Sequence, residues 1–435
     1  MQRGSSVERT CAPDTELMRN APARLIVSLV ALVATSACNG PSEPQPPADS
    51  QLLASAVSFY RASRNDRGLY RDRLRFDGAH EGPASVATIG MGLVSLCIGS
   101  RTGMSESAAE HARTTVRTML ELGQARNASG FYYHFVDMET GNRAGQSEFS
   151  SIDTAILVSG ALFAASCLGD DDLDSLVLQL WESIDWSRAI ADPETGAIYL
   201  EMLQDGSGRP GSLTLPFNEY MLVAWLAKLA DQTGTGPATD LWERHYASAD
   251  SLPTSEFAGY AALTDRPGAF LSSFVIQFAY YLCHPFTTSE GYRAFLRSAQ
   301  RADRAWWLQT GEALSHEWGL GAGSARSVGY HADAINDNPD HIVSPHIVAG
   351  FLPVDTNGMS DLREHYTTMS GAVRTIDGVE GNLLWRYSVS DPSWVPGEIQ
   401  GIDYSSMMLG LAAHVLGTSF IEEHNDFEAW LARVR

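Results

Sequence analysis

Lysine is almost missing from this chain. Among 435 residues only Lys228 carries an ammonium group, and the other basic side chains are arginines. Acidic residues outnumber basic ones by 52 to 30, giving a formal net charge of −22. That balance speaks against a nucleic-acid partner, because phosphate binding draws on clustered Lys and Arg. It equally disfavours a polyanionic substrate such as a uronate polymer and leaves neutral polymers open. Cysteine is scarce as well, at five residues, two of them (Cys11 and Cys38) near the N-terminus. Cys97, Cys167 and Cys283 each fall in an apolar helical stretch, and no CxxC occurs. Buried free thiols are expected there, in place of a disulfide framework or a structural zinc.

Familiar catalytic signatures are absent too. There is no Walker A loop, no GxSxG elbow and no HExxH pair. Gly319, Gly321 and Gly323 match a phosphate loop only superficially, since no strand leads into them. Pro345, between His341 and His346, argues against a helical metal pair. No metal and no cofactor is expected.

What the chain does have is apolar material to bury. Hydrophobic residues make up 44% and charged ones 19%, enough for one large domain or two ordinary ones. From Met18, a candidate true start, the sequence reads as an export signal. Arg19 and Arg24 precede an apolar run from Leu25 to Val33, followed by Thr35-Ser36-Ala37-Cys38. The run is shorter than the roughly twenty residues a membrane-spanning helix needs. Small residues before Cys38 resemble a lipoprotein cleavage site, with Thr35 in place of the usual large aliphatic; a secretory cut after Ala37 is the alternative. The expected organisation is a signal over 1–37, a Pro-rich tether over 38–50 and one domain over 51–435. Asn39 is not the aspartate that retains lipoproteins at the inner membrane. A periplasmic or outer-membrane lipoprotein lipidated at Cys38 is therefore expected, with membrane contact only through that anchor.

After residue 50 the pattern is helix, loop, helix, with little strand signal. Helices are predicted near 51–65, 85–100, 105–124, 150–168, 173–183 and 217–233. Others fall near 237–249, 269–282, 288–310, 360–374, 404–416 and 419–434. One kind is apolar and rich in small residues (Val86–Gly99, Thr154–Cys167, Ser406–Gly417). The other is amphipathic and charged (Glu106–Glu121, Arg293–Trp306). Buried helices paired with solvent-facing ones predict an all-α fold, an (α/α)6 toroid of about twelve helices. An α-solenoid is the alternative, but no solenoid-length period is visible. Gly319–Pro353 breaks the rhythm and is too long for a mere connection.

Carboxylates and aromatics remain as the chemistry-bearing residues. The stretch FYYHFVDMETGNRAGQSEFSSIDTAILVSGALFAASC (131–167) sets Tyr132 and Tyr133 before a polar turn, then Glu148 and Asp153 at the mouth of a small-residue helix. The helix dipole favours carboxylates there. Either they belong to a sugar-binding cleft, or Ser147 or Ser150 caps the helix and they serve its first turn. Glu219, bordered by Phe217, Met221 and Leu222, is either a desolvated general acid or a solvent-facing first-turn residue. Asp403, just ahead of another apolar helix, is either a functional carboxylate or an N-cap. Glu398 is a further candidate. Trp306, Trp307, Trp318, Trp385 and Trp394 could offer sugar-stacking faces or simply fill the core.

Several segments, in order, resemble the bacterial glucoamylase-like family, which includes endo-β-1,2-glucanases and a domain of cyclic β-1,2-glucan synthases. They are LYRDRLRF with ASVATIGMGLVSL, FYYHFVDMETGNR with SEFSSIDTAILVSGALFA, FNEYMLVAWLAKLA, WGLGAGSARSVGYHA, IVSPHIVAGFLP and WVPGEIQGIDYSSMML. They span nearly all of residues 68–417. The resemblance implies an (α/α)6 toroid, with Glu219 as general acid and Asp403, in the Gly-Ile-Asp motif, as general base. Glu148 and Asp153 would bind sugar hydroxyls or order water. Tyr132, Tyr133, Trp318 and Trp394 complete the expected binding residues. The implied activity is inverting hydrolysis of a neutral β-glucan, with β-1,2-glucan first. The chain departs from the family in two places. VIQFAYYLCHPF stands where the family reads His-Gln-Tyr-Ser-His followed by Asp-Phe-Arg, and Gly323-Ser324-Ala325 replaces an expected Asp. A catalytically inactive glycan-binding lipoprotein is accordingly the alternative. A polysaccharide lyase fits less well, since such enzymes prefer acidic polymers.

Overall fold

Small residues set how closely the central helices approach one another. In the computed structural model, which describes residues 46–435 apart from 80, 369, 370 and 392, fifteen α-helices carry the chain. The signal over 1–37 and Cys38 lie outside the described residues. In order the helices are α1 (Asp49–Ser63), α2 (Val86–Arg101), α3 (Ala108–Glu121), α4 (Ser151–Leu168), α5 (Asp171–Glu182) and α6 (Met221–Ala230). Next come α7 (Pro237–His245), α8 (Phe274–Leu282), α9 (His284–Thr288), α10 (Glu290–Thr310) and α11 (Pro345–Gly350). The last are α12 (Gly358–Thr367), α13 (Gly401–Leu416), α14 (Thr418–His424) and α15 (Phe427–Val434).

The contacts follow a circuit. Helix α2 packs on α4, α4 on α6, α6 on α8, α8 on α11, α11 on α13, and α13 returns to α2. Each of these six also meets a further helix: α3 against α2, α5 against α4, α7 against α6, α10 against α8, α12 against α11, and α1 against α13. Helices α2, α4 and α13 are buried on nearly every side, which explains their unbroken apolar composition. In α10 the buried residues (Tyr292, Leu296, Ala299, Gln300, Ala302, Asp303 and Trp307) keep to one side, leaving a polar face outward. Between α2 and α4, Gly90 faces Gly160, and a Cβ on either would collide with the other helix's backbone. Gly410 of α13 meets the Ala349 carbonyl of α11 in the same way.

A disulfide joins Cys97 of α2 to Cys167 of α4. This corrects the expectation of three free thiols. Seventy residues separate the two cysteines along the chain, and only the pairing of two apolar helices brings them together. Cys283 is free and buried, as expected.

The loops hold more order than the sequence suggested. Among the described residues, seventeen strands of two to four residues form small antiparallel sheets. Segments that short show no legible alternation. The long Gly319–Pro353 segment contains a hairpin, Ala322–Ala325 with Gly329–Ala332, then strand Ile342–Val343 and α11. The helix predicted over 419–434 is broken in two. Asn425 turns inward to donate to the Tyr281 carbonyl and the Thr287 hydroxyl, and Asp426 caps α15 by accepting from the Ala429 amide.

Candidate active site

Asp153 and Asp403 occupy equivalent places, each the third residue of a buried helix. Ser150 caps α4 by accepting from the Asp153 amide at 3.2 Å, and strand Phe149–Ser150 pairs with Glu201–Met202 just upstream. Gln400, closing strand Glu398–Gln400, stands at the cap of α13, so Asp403 is not itself the N-cap. Glu219 lies before α6, two residues earlier than the helix begins. Asn218 holds that turn, accepting from the Tyr220 amide and donating to the Leu215 carbonyl, local bonds that compete with helix formation.

These elements converge on a cleft of about 730 Å³ lined by Glu148, Asp153, Glu219 and Asp403 together with His134 and Tyr330. Glu201, Asp265 and Asp337 add further carboxylates to the wall, whereas among the described residues only His134 and Arg266 give it cationic groups. Its aromatic lining comes from Tyr220, Phe270, Phe274, Phe278 and Tyr330. Sequence reasoning missed His134, Tyr330 and the phenylalanines. His134 and Tyr330 lie inside quoted motifs, HFVDMETGNR and SVGYHA, where they read as filler between carboxylates.

Burial raises the Asp403 carboxyl to about 7, with the nearby Asp72 adding to the rise. The Tyr330 hydroxyl, donating to Oδ1 at 2.9 Å, and the Arg386 guanidinium oppose it. Its Oδ2 has no partner among the described residues. Glu219 is only partly exposed, to the cleft, and is also raised to about 7, first by loss of water and then by Asp153 and Asp403. No described residue donates a hydrogen bond to its carboxyl. His134 bridges two acids, with Nδ1 3.0 Å from Glu148 and Nε2 3.6 Å from Asp153. Burial works against its charge, but Asp153, Glu148 and Asp72 outweigh burial and lift it to about 8. The histidine in turn lowers Glu148, while burial raises Asp153. Three acids near one another with raised protonation are the arrangement acid/base chemistry at neutral pH requires.

The predicted aromatic binders lie elsewhere. Tyr132 is fully buried and donates to the Met119 carbonyl at 2.8 Å. Trp318 is buried, its indole N–H donating to Asp361 at 2.9 Å. Tyr133 is half-buried, stacked on Phe149 with the Arg143 guanidinium over its ring. Trp394 is half-buried in the loop before Glu398. Neither these four nor Trp306, Trp307 and Trp385 line the cleft. Glu398 is also outside it, paired with Arg73 at 2.8 Å. The departing segment VIQFAYYLCHPF supplies cleft-lining Val275 and Phe278, and buries Gln277 against the Ile347 carbonyl. Ser324, in the other departure, sits on the hairpin and accepts from the Gln400 amide group at 2.8 Å. As for metals, Cys97, Cys167 and His424 bring their ligand atoms within 4.8 Å of one another, but the disulfide consumes both thiols.

No family model and no curated protein matches the sequence. Solved structures do match. An endo-β-1,2-glucanase from Chitinophaga pinensis, in complex with sophorotriose and glucose, aligns with a TM-score of 0.74 at 16% identity, covering 89% of this chain and 96% of that one. The chain has the fold of the glucoamylase-like proteins. One of them, from Bacteroides caccae, aligns with a TM-score of 0.73 at 19% identity over 89% of this chain and 99% of its own. A β-1,2-glucanase from Parabacteroides distasonis gives 0.70 at 15% identity, over 89% of this chain and 60% of that one.

Proposed function

We propose that this protein is a glycoside hydrolase that cleaves a neutral β-glucan, β-1,2-glucan first, by an inverting mechanism. One observation carries the reading. Two carboxyls, Glu219 and Asp403, are both raised to about 7 across a single cleft, in a fold shared with β-1,2-glucanases. The circuit of six helices, each with an outer companion, is read as the (α/α)6 toroid.

Environment separates the two roles. The Glu219 carboxyl has no hydrogen-bond donor among the described residues and faces two other acids, which favours its protonated form and suits it as general acid. Asp403 has the Tyr330 hydroxyl and the Arg386 charge beside it, which favour its carboxylate and suit it as general base. Glu219 gives its proton to the glycosidic oxygen as the C–O bond breaks. Asp403 takes a proton from water as that oxygen bonds to the anomeric carbon from the opposite face, inverting the configuration. Glu148 and Asp153, linked by His134, are placed to accept from sugar hydroxyls. A wall with many carboxylates and few cations repels acidic sugars, which supports a neutral substrate.

The Met18–Cys38 segment supports an exported protein, a periplasmic or outer-membrane lipoprotein lipidated at Cys38. The Cys97–Cys167 disulfide supports that placement, because such bonds persist in oxidising compartments. The departure at VIQFAYYLCHPF favours a second reading, a glycan-binding protein without catalysis. Incubation with a panel of neutral glucans, with E219Q and D403N alongside, separates the two. Oligosaccharides released from one linkage and lost in both variants support the hydrolase. Binding with no release overturns it.

A further inference from the structure

We propose that Tyr330 is the positioning residue for Asp403, and that its ring is at the same time a sugar-stacking surface at the cleft mouth. The inference rests on the acid/base reading above. Tyr330 is 58% exposed, the second most exposed large hydrophobic side chain among the described residues after Leu314, yet its hydroxyl reaches Asp403 Oδ1 at 2.9 Å. A tyrosine normally shields its ring and leaves its hydroxyl in water. Here the hydroxyl is engaged with a buried carboxylate and the ring is presented outward, beside exposed Val328 in the same hairpin.

The hairpin that carries Tyr330 is seated on the base's own helix. Tyr330 pairs across the hairpin with Ser324, and Ser324 accepts from Gln400, the residue capping α13. Two hydrogen bonds, Gln400 to Ser324 and Tyr330 to Asp403, therefore tie the hairpin to the first turn of α13. At the hairpin's base the Asp333 amide donates to the Gly321 carbonyl, and the Asp333 carboxylate pairs with Arg386 in full burial. With Oδ1 held by Tyr330, Oδ2 is buried and has no partner among the described residues, so a water that gives up its proton to Asp403 must come in against that oxygen. The hydroxyl thus selects which carboxylate oxygen works and fixes its direction.

Titratable and charged groups from several surrounding segments act on Asp403. They are Tyr60 of α1, Asp72 ahead of strand Arg73–Arg75, Glu219 before α6, Tyr330 of the hairpin and Arg386 after strand Leu383–Leu384. Of these, Tyr330 donates the hydrogen bond, and a donor to the ionised form favours that form.

The test compares Y330F, which keeps the ring, with Y330A, which loses both parts. It uses kcat and KM across pH, calorimetric binding of a β-1,2-linked gluco-oligosaccharide, and a carbon-13 NMR titration of the Asp403 carboxyl assigned with D403N. Y330F is expected to lower kcat roughly 10- to 100-fold with KM within about twofold, and to move both the acidic limb and the Asp403 titration to higher pH. Y330A is expected to show the same kcat loss with oligosaccharide affinity weakened about tenfold, one stacked face. An unmoved Asp403 titration in Y330F overturns the positioning role, and unweakened binding in Y330A overturns the stacking role. A wild type that hydrolyses no glucan would defeat the acid/base reading, while the NMR titration would still decide the Tyr330–Asp403 link.

Discussion

Gly160 of α4 rests directly against the carbonyl of Gly90 on α2, with no room for a methyl group between them. The contact is backbone on backbone, so neither partner can rotate away. Gly160→Ala is expected to destabilise the protein by about 1–3 kcal/mol, as overpacking of a close helix pair does. Urea denaturation of the variant checks this, and an unchanged midpoint would mean that the two helices separate freely.

The disulfide fastens the same pair at its far end. Removing it in the double variant C97A/C167A is expected to cost about 2–4 kcal/mol, since the bond closes a long loop in the unfolded chain. Thermal unfolding with and without reductant reads the effect. Reductant should lower the melting temperature of the wild type and leave that of the double variant unmoved.

His134 makes stability depend on pH. Its folded value of about 8 lies above the ordinary value of about 6.5 for a free histidine. The stabilisation is therefore complete below the unfolded value and is lost as pH rises through the folded one. Glu219 and Asp403, also raised, act in the same direction. The histidine's share is accordingly the difference between wild type and H134Q. Melting temperatures measured from pH 6 to 9 should fall more steeply for the wild type, and parallel curves would count against the bridge.

Activity should peak near neutrality in a narrow bell, because acid and base both titrate near 7 and repel one another. E219Q is expected to lower kcat by roughly 10²- to 10⁴-fold and remove the alkaline limb; D403N is expected to do the same at the acidic limb. A pH–rate profile of kcat/KM on the cleaved glucan gives the answer.

Much of the helical framework was legible because burial on all sides writes a continuous apolar run, as in α2, α4 and α13. That Glu148, Asp153, Glu219 and Asp403 stand near the starts of such helices was legible too, since acids there stand out against their surroundings. The aromatic residues were not. Trp318 and Tyr132 fill the core, Tyr330 and Phe278 line the cleft, and sequence alone offers no mark that tells one kind from the other. The Cys97–Cys167 bond was missed for a related reason. Each cysteine looks like any small apolar residue of its own helix, and their meeting is a property of how α2 and α4 pair.

The order of the cleft residues along the chain has one more consequence. Glu148 and Asp153 come from the first half of the circuit, Glu219 from its middle, and Asp403 from the helix that docks back onto α2. A chain still emerging during synthesis holds the acid long before it holds the base. If Glu219 and Asp403 are the acid and base, the protein cannot act until its last inner helix has closed on its first, so ring closure serves as a built-in checkpoint, and a glucan-cleaving molecule is by that fact one whose circuit is complete.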